Sequence, residues 1–375
     1  MKLKVLFITR KWPPAIGGME TYSVELAEAL ARRVELTKKV LPGRRNGLPP
    51  GAVMLLWFGM KTAVWLLRHA ARFDIAHAGD MAIWPLAWTA WLRNPNLRVI
   101  LSAHGTDVAY AERSGFKAWL YRRYLRAGAR LLSKATVIAN SRATGELLEG
   151  HGFTDITVIP LAAKQADHAT AHSYASTVPS PEPYALFVGR LIEQKGCAWF
   201  IREVLPLLPE TMRFKVAGTV IDKSEGDALD HPRVDYLGPV FGDALANLRR
   251  QASAVVIPNI ICAHNRGFEG FGLAATEAAS AGSVVLASNA YGLKDAVIDN
   301  ETGFLLPPGD AHSWAQKITA VAEWPAEKRS AFLARAAATA RAFYCWSRVA
   351  EETLNAYGAP AKGAAAATTK KWETA

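Results

Sequence analysis

Residues 4–30 have the sequence KVLFITRKWPPAIGGMETYSVELAEAL and contain the first structural unit in three pieces. The apolar run 4–9 predicts a buried strand, and the Pro and Gly residues after it predict a turn. Tyr22, Leu26 and Leu30 then follow at four-residue spacing and predict an amphipathic helix. A strand, a turn and a helix in this order form the repeating unit of α/β folds.

The same unit recurs along most of the 375-residue chain. Helical patterns separate the apolar runs, and this alternation implies parallel sheets that are covered on both faces. We therefore predict an α/β protein made of two doubly wound, Rossmann-like domains. The further predicted strands cover 74–78, 97–103, 135–140 and 156–161 in the first half, and 184–188, 213–217, 234–237, 254–258, 283–287 and 303–306 in the second.

A change in composition near the middle of the chain predicts the domain boundaries. Residues 163–183 are rich in Ala, Ser, Thr and Pro and have no periodicity, which is typical of a linker. The predicted organisation is an N-terminal domain, a linker, a C-terminal domain, a helix that packs back on the N-terminal domain, and a disordered tail. These parts cover 1–165, 166–183, 184–340, 341–358 and 359–375.

The net charge of +11 is unevenly distributed. Residues 1–160 contain 23 Lys and Arg against 11 Asp and Glu, a net of +12. Residues 161–375 contain 21 against 22, a net of −1. A basic half suggests an anionic partner, such as a nucleic acid, a membrane surface or a phosphorylated substrate.

Cysteine usage and hydropathy bear on the cellular location. Cys197, Cys262 and Cys345 are far apart and form no CxxC pair, which favours a reducing compartment over a disulfide framework or a structural zinc site. The most apolar stretch, residues 52–67, is interrupted by Lys61 and is shorter than the roughly 20 residues needed to span a bilayer. We expect a cytoplasmic protein.

Two motifs in the first half are candidate binding elements. Gly17 and Gly18 fall between the first strand and its helix, where backbone amides can approach a ligand and the helix start favours a phosphate. The alternative is a simple strand-to-helix turn. His104, within SAHGTD at 102–107, follows an apolar strand, and open α/β sheets bind ligands outside the carboxyl ends of their strands. The alternative is a structural histidine.

Two motifs in the second half carry charged residues. GRLIEQKG at 189–196 places Arg190 and Lys195 on a loop after a strand, where two cations can bind a diphosphate and neutralise its growing charge. EGFGLAATE at 269–277 places Glu269 before a predicted helix and Glu277 about one turn inside it. Both carboxylates can accept hydrogen bonds from sugar or ribose hydroxyls. A solvated charged loop and an acidic helix start are the respective alternatives.

The ordered set GGxE, HGxD, GRLxxxKG and ExFGxxxxEA, followed by GLKD at 292–295 and Thr302-Gly303, resembles glycosyltransferase family 4. The resemblance covers about residues 4–357. Each motif alone is weak, but their order and spacing are specific. The resemblance implies the GT-B fold, in which two Rossmann-like domains face a central cleft. It also implies a retaining transferase that uses a nucleoside diphosphate sugar.

The resemblance assigns roles to individual residues. His104 would contact the donor sugar, Arg190 and Lys195 would hold the leaving diphosphate, and Glu269 would hold hydroxyls of the transferred sugar. Glu277 would bind the ribose. No metal or other cofactor is expected, because cationic side chains and a helix dipole take that role in such enzymes. The implied donor-binding set is completed by Gly17, Gly18, Gly189, Gly270, Phe271, Gly272 and Leu273.

The acceptor side follows from the resemblance and the charge asymmetry together. The first domain would bind the acceptor, which we expect to be a lipid-linked glycan at the inner face of the cell membrane. Residues 54–72 and 116–134 combine apolar and basic side chains and suit an anionic membrane surface. The alternative for both stretches is an ordinary domain helix with its apolar face in the core and its arginines in solvent. The alternatives are a soluble acceptor, a sugar-nucleotide epimerase, a non-catalytic sugar-nucleotide binder and a nucleic-acid-binding protein. The last is disfavoured because the sequence has no recognised nucleic-acid module.

Overall fold

The structure is a computed structural model that describes residues 2–163, 182–262 and 267–358. The first part of the chain forms a parallel sheet from β1 Lys4–Trp12, β2 Glu35–Pro42, β3 Ile75–Ala78, β4 Arg98–Ala103, β5 Thr136–Ala139 and β6 Ile156–Val158. The strand order is β2-β1-β3-β4-β5-β6. The helices between the strands are α1 Gly18–Ala31, α2 Ala52–His69, α3 Trp84–Arg93, α4 Thr106–Ala109, α5 Phe116–Leu131 and α6 Arg142–Gly150.

Alternating side chains of β1 show how helices cover both faces of this sheet. Val5 and Phe7 pack in one core cluster with Leu26 of α1. Leu6 and Ile8 point the other way and pack in a second cluster that includes residues of α2, α3 and α5. Successive side chains of a strand point to opposite faces, so one short apolar strand contributes to two cores.

β2 is a strand that our sequence analysis did not predict. It lies at the edge of the sheet, and among the strands of the described residues it pairs with β1 alone. An edge strand of a covered sheet can carry charged side chains, and β2 contains the exposed Lys38 and the half-buried Lys39. Without a continuous apolar run, β2 lacks the signal by which the other strands were found.

The second part of the chain forms a similar sheet. Its strands are β7 Tyr184–Val188, β8 Arg213–Ala217, β9 Val234–Gly238, β10 Ala254–Ile257, β11 Val285–Ser288 and β12 Phe304–Leu306. They are parallel, in the order β12-β11-β10-β7-β8-β9. The helices are α7 Cys197–Trp199, which continues as a π-helical turn at Phe200–Val204, α8 Lys223–Asp227, α9 Gly242–Gln251, α10 Leu273–Ser280, α11 Leu293–Ala296, α12 Ala311–Ala322, α13 Ala326–Phe343 and α14 Trp346–Ala356.

The predicted fold class, with two parallel sheets covered by helices, is confirmed. The predicted linker lies outside the described residues except for Glu182 and Pro183, and the predicted tail over 359–375 lies outside them entirely. The predicted division at 341 falls inside α13, because that helix continues to Phe343 before the chain turns into α14.

The last helix, α14, packs against α1 on the first sheet. Beyond its end, the hydroxyl of Tyr357 lies 2.6 Å from Nδ1 of His77, and Nε2 of His77 lies 2.6 Å from the hydroxyl of Ser102. Burial, followed by the nearby charge of His104, lowers the pKa of His77 to about 3. His77 is therefore neutral, and one ring nitrogen can donate while the other accepts.

One core cluster joins the two halves of the molecule. It contains Phe7 and Tyr22 from the first sheet and its helix, Leu186 and Ala275 from the second, and Tyr344 from the turn before α14. Among the helices of the described residues, none is both long and apolar enough to cross a membrane.

Candidate active site between the two sheets

The carboxyl ends of the two sheets meet at their topological switch points. In the first sheet the strand order reverses around β1 and β3, and in the second around β7 and β10. Ligands of open α/β sheets bind at such points. All four predicted motifs follow or adjoin these strand ends, so the topology brings them to one region.

Two glycines mark where the halves touch. A Cβ added at Gly105 would lie 2.6 Å from Cα of Gly270, and one added at Gly270 would overlap the carbonyl oxygen of His104. Real Cβ atoms do not approach other atoms so closely, and Gly105 also has a positive φ of 82°. The backbone after β4 and the loop before α10 are therefore in direct contact.

The glycine-rich start of α1 adjoins the same region. A Cβ at Gly18 would lie 3.3 Å from Cδ1 of Leu273, so the first residues of α1 and α10 are neighbours. The carboxylate of Glu20 is buried in the first turn of α1, adjoins Gly17 and lies 3.5 Å from Nζ of Lys11. Because this carboxylate already faces the helix start, it opposes an anion there.

Lys195 and Glu269 form an ion pair, although they are 74 residues apart. Asn259, which our sequence analysis did not single out, donates from Nδ2 to the same carboxylate oxygen, Oε2, at 3.0 Å. Asn259 comes two residues after β10, and its position at a switch-point strand end was the signal that could have identified it. Among the described residues no donor is paired with Oε1, which leaves that oxygen for a ligand.

The charge of Glu269 is set by competing effects. Burial raises its pKa, but the charge and hydrogen bond of Lys195, the hydrogen bond of Asn259 and the charge of Arg190 together outweigh burial. The net pKa is lowered, so Glu269 is ionised at neutral pH. The two side chains of the pair are only 19% and 15% exposed, so the pair is weakly screened.

Arg190 follows β7 and its side chain is exposed. Among the described residues its guanidinium has no hydrogen bond or ion pair, although its charge acts on Glu269. The preceding Gly189 is packed against Gly218, where an added Cβ would overlap the Gly189 carbonyl. This close approach of two strand ends holds the loop that carries Arg190 and leaves its donors available.

The loop after Glu269 leads directly into α10. Gly272 caps this helix with φ 104°, a left-handed conformation that favours glycine, and an added Cβ there would meet Leu293 at 2.5 Å. The side chain of Phe271 is buried and packs edge-on against Tyr344, so only its backbone can contact a donor. The free amides of the α10 N-terminus provide partial positive charge.

Glu277 lies on the fifth residue of α10 and is held by a residue that our sequence analysis missed. Nη2 of Arg249, on α9, lies 2.9 Å from Oε2 of Glu277. Arg249 is nearly buried, and its Nε has no partner among the described residues. The ion pair orients Glu277, whose side chain is one-third exposed and can still accept a hydrogen bond.

His104 is buried immediately after β4. Nε2 lies 2.9 Å from the carbonyl oxygen of Gly79, and because a carbonyl only accepts, Nε2 carries a proton. The Tyr22 ring packs edge-on at 4.6 Å, and the His104 backbone amide donates to Asp107 at 2.8 Å. The imidazole is thus fixed in one orientation with Nδ1 as its remaining polar atom.

A second contact between the halves lies beside the site. The backbone amide and Nε of Arg142, at the start of α6, donate at 2.7 Å to the two carboxylate oxygens of Asp295. Asp295 is buried in α11, within the GLKD element, and the Tyr344 hydroxyl donates to its carbonyl. This buried carboxylate positions the loop around Gly270 relative to the first sheet.

An open polar cavity of about 550 Å³ lies between the halves, beside the loop that carries Lys195. Arg113 and Ser114 line it from the first half, and Glu193, Gln194 and Asp222 line it from the second. Within the described ranges, His, Cys, Asp and Glu side chains form no group of three or more that could hold a metal ion.

Two family models match the two halves of the chain. The model described as Glycosyltransferase Family 4 matches residues 16–163, and the model described as Glycosyl transferases group 1 matches residues 182–323. The chain belongs to the family 4, group 1 glycosyltransferases. The family suggested by the sequence motifs is thereby confirmed.

This family 4 protein is similar in sequence to several named glycosyltransferases. The chain is 29% identical to a D-inositol 3-phosphate glycosyltransferase of Kineococcus radiotolerans, with 91% of this chain and 90% of the relative covered. It is 28% identical to a glycogen synthase of Mycobacterium tuberculosis, with 78% of this chain and 70% of the relative covered. These relatives identify a glycosyltransferase without deciding its acceptor.

Solved structures confirm the GT-B fold. Anabaena HepE in complex with UDP and glucose is 18% identical with a TM-score of 0.67, and covers 95% of this chain and 99% of its own. Sucrose-phosphate synthase of Thermosynechococcus elongatus is 20% identical with a TM-score of 0.69, and covers 95% of this chain and 98% of its own. At these identities the likeness is one of fold.

Proposed function

We propose that this family 4 glycosyltransferase moves a hexose from a nucleoside diphosphate sugar to an acceptor, keeps the anomeric configuration and needs no metal. The observation that carries the proposal is the charge arrangement before α10. Lys195 is paired with an ionised Glu269, Arg190 lies close enough to act on the same carboxylate, and the α10 N-terminus adjoins them. Solved structures of similar fold that contain UDP or UDP-glucose support a nucleotide-sugar donor.

The charges suit the departure of a diphosphate. As the bond between the sugar and the phosphate breaks, negative charge builds up on the leaving oxygen. Lys195 and Arg190 neutralise that negative charge, and the positive N-terminal end of the α10 dipole stabilises it further. Oε1 of Glu269 accepts hydrogen bonds from hydroxyls of the transferred sugar, while Lys195 and Asn259 donate to Oε2.

Retention is expected because the leaving phosphate can deprotonate the acceptor on the face from which it departs. A carboxylate nucleophile is disfavoured because Glu269 is already stabilised by two donors, which lowers its reactivity. The contribution of the protein is then positioning and charge stabilisation.

The acceptor is proposed to be a lipid-linked glycan of envelope or exopolysaccharide synthesis, bound by the first half. The polar cavity between Arg113 and Gln194 offers an entrance for a hydroxylated acceptor. A second candidate is a soluble phosphorylated acceptor, favoured by the relative named D-inositol 3-phosphate glycosyltransferase and by the basic first half.

A donor screen tests the reaction itself. We expect hydrolysis or transfer from one of the uridine, guanosine or adenosine diphosphate hexoses, with NMR showing product of the same anomeric configuration as the donor. EDTA should leave the rate nearly unchanged, because side chains supply the positive charge. Inverted product, or activity that EDTA abolishes and manganese restores, would refute retention or metal independence respectively. C2-epimerised sugar as the product would favour an epimerase.

Calorimetry with the free nucleoside diphosphate separates the two carboxylates. Glu277→Ala should weaken nucleotide binding about tenfold, because a hydrogen bond from ribose to a charged acceptor is worth about 1.5 kcal/mol. Glu269→Ala should leave that affinity nearly unchanged and reduce transfer, because Glu269 is assigned to the sugar. Asp243→Ala, an exposed carboxylate on α9, is the control for loss of charge. The opposite pattern would reverse the assignments.

A further inference from the structure

Helix α2 exposes most of its apolar residues. Of its 18 residues only Thr62 and Leu66 are buried. Six large apolar side chains recur at three- and four-residue spacing and therefore share one face, which we call the apolar stripe. The stripe consists of Val53, Leu56, Trp57, Met60, Val64 and Leu67, each between 48% and 80% exposed.

The apolar stripe is too regular to be scattered surface residues. Single exposed apolar side chains are ordinary, whereas a contiguous row marks a surface that another partner covers. α2 packs on α3 with its opposite face, so its folding does not require the stripe. The stripe is free to contact a partner in the folded molecule.

Cations surround the stripe without acidic neighbours in sequence. Residues 36–73 contain seven Lys and Arg and no Asp or Glu. Arg44 reaches Gly51 at the start of α2, and Lys39 lies 3.8 Å from the Trp65 ring centre. Burial and the charge of Lys61 lower the pKa of Lys39, so Lys39 and Lys61 are also close to each other. Arg68 is exposed near the end of α2.

An apolar row bordered by cations matches one kind of surface. Lipid acyl chains accept the apolar side chains at the headgroup boundary, and anionic headgroups attract the surrounding cations. We propose that α2 docks on an anionic membrane surface through the apolar stripe, with Arg44, Lys39, Lys61 and Arg68 at the headgroups. The docking deepens the proposed function and rests on it for the lipid-linked acceptor.

The position of α2 connects docking with the site. The carboxyl end of β2 faces the second half, like those of the other strands of the first sheet. α2 begins ten residues later and runs antiparallel to the strands, away from the second half. The N-terminal end of the stripe is therefore the end nearest the cleft. The start of α5 also exposes Phe116, Trp119 and Leu120 close to Arg113, which lines the polar cavity. Docking would bring the cavity to the membrane surface, where a lipid-linked acceptor resides.

Flotation with vesicles tests the docking. The full chain should bind vesicles of phosphatidylcholine with phosphatidylglycerol, bind phosphatidylcholine alone weakly, and dissociate as salt rises, because exposed charges are screened. Protein that stays with the soluble fraction at low salt over anionic vesicles would overturn the proposal.

Two variants separate the apolar and electrostatic contributions. A triple variant, Leu56→Gln with Trp57→Gln and Met60→Gln, should bind anionic vesicles at least about tenfold more weakly, because apolar insertion is lost. Lys61→Glu with Arg68→Glu should lose the preference for anionic lipid. Phe241→Gln, at a residue 71% exposed in the second half, is the control and should bind normally.

Two further readings make the outcomes distinct. Donor hydrolysis without vesicles should be equal in wild type and all three variants, since every changed residue is exposed and none is assigned to the donor. Wild type that binds vesicles but neither hydrolyses nor transfers sugar from any donor in the screen would refute the proposed function and leave docking intact. Light scattering could instead show that wild type is a dimer and the triple variant a monomer. If wild type also failed to bind vesicles, the stripe would be assigned to a second copy of the chain and docking would be overturned.

Discussion

Lys195→Ala should lower turnover by about 10²- to 10³-fold, the usual effect of removing one donor to a developing negative charge. Lys195 is proposed to stabilise the leaving diphosphate, so the loss should appear mainly in kcat and less in donor binding. Steady-state kinetics with the donor identified in the screen would measure it. Arg190→Ala should change kcat in the same direction.

The same variant should change the pH profile in a defined direction. Lys195 is the largest influence opposing burial at Glu269, so its removal lets burial raise the pKa of that carboxylate. A higher pKa means that Glu269 is protonated at a given acidic pH where wild type is still ionised. The acid limb of kcat/KM should therefore move to higher pH.

Lys294→Ala is the matched control, because Lys294 is an exposed cation on α11 in the same half. It should leave both turnover and the pH profile unchanged. If Lys195→Ala and Arg190→Ala both retained turnover within a factor of two of wild type, the assignment of the diphosphate to this loop would be wrong.

Gly270→Ala should reduce transfer about a hundredfold or more while nucleotide binding survives. An added Cβ would overlap the His104 carbonyl and approach Asn140 Nδ2 at 3.1 Å, so the two halves must separate. A displacement on the order of 1 Å between reacting groups can reduce rates about a hundredfold. Glu277 and Arg249 lie within the second half and should keep their geometry.

Kinetics and nucleotide calorimetry on the purified variant would check this prediction. Gly150→Ala is the control, because an added Cβ there meets nothing within 4 Å. Wild-type turnover in Gly270→Ala would mean that the contact between the halves is not part of the working geometry. Loss of nucleotide affinity together with turnover would mean that the change disrupts the second half itself.

Apolar runs predicted most strands because parallel strands covered on both faces must be apolar throughout. Tyr184–Val188 and Arg213–Ala217 match the predicted bounds. β2 was not predicted, because an edge strand pairs on one side only and tolerates Lys38 and Lys39. The end of α13 before α14 was also not predicted, since no Pro or Gly marks it in the sequence.

Motif spacing placed the candidate site residues at strand ends, and the parallel topology then brought them together. The individual partners could not be predicted in this way. The pairing of Arg249 with Glu277, and of Arg142 with Asp295, 153 residues away, depends on how separate elements pack. Pairing over such distances leaves no periodic signal in a single sequence. The roles assigned to these residues stay predictions until the variants are measured.

The contact between Tyr357 and His77 joins residues that are 280 positions apart. During synthesis, the first sheet emerges long before α14, so Ser102 and His77 must wait for the last hydrogen-bonding partner of their buried chain. N-terminal domains generally fold first as the chain emerges. Here the first sheet completes this buried chain of hydrogen bonds only after the second half has been synthesised, so the last step in folding of the first half depends on the second.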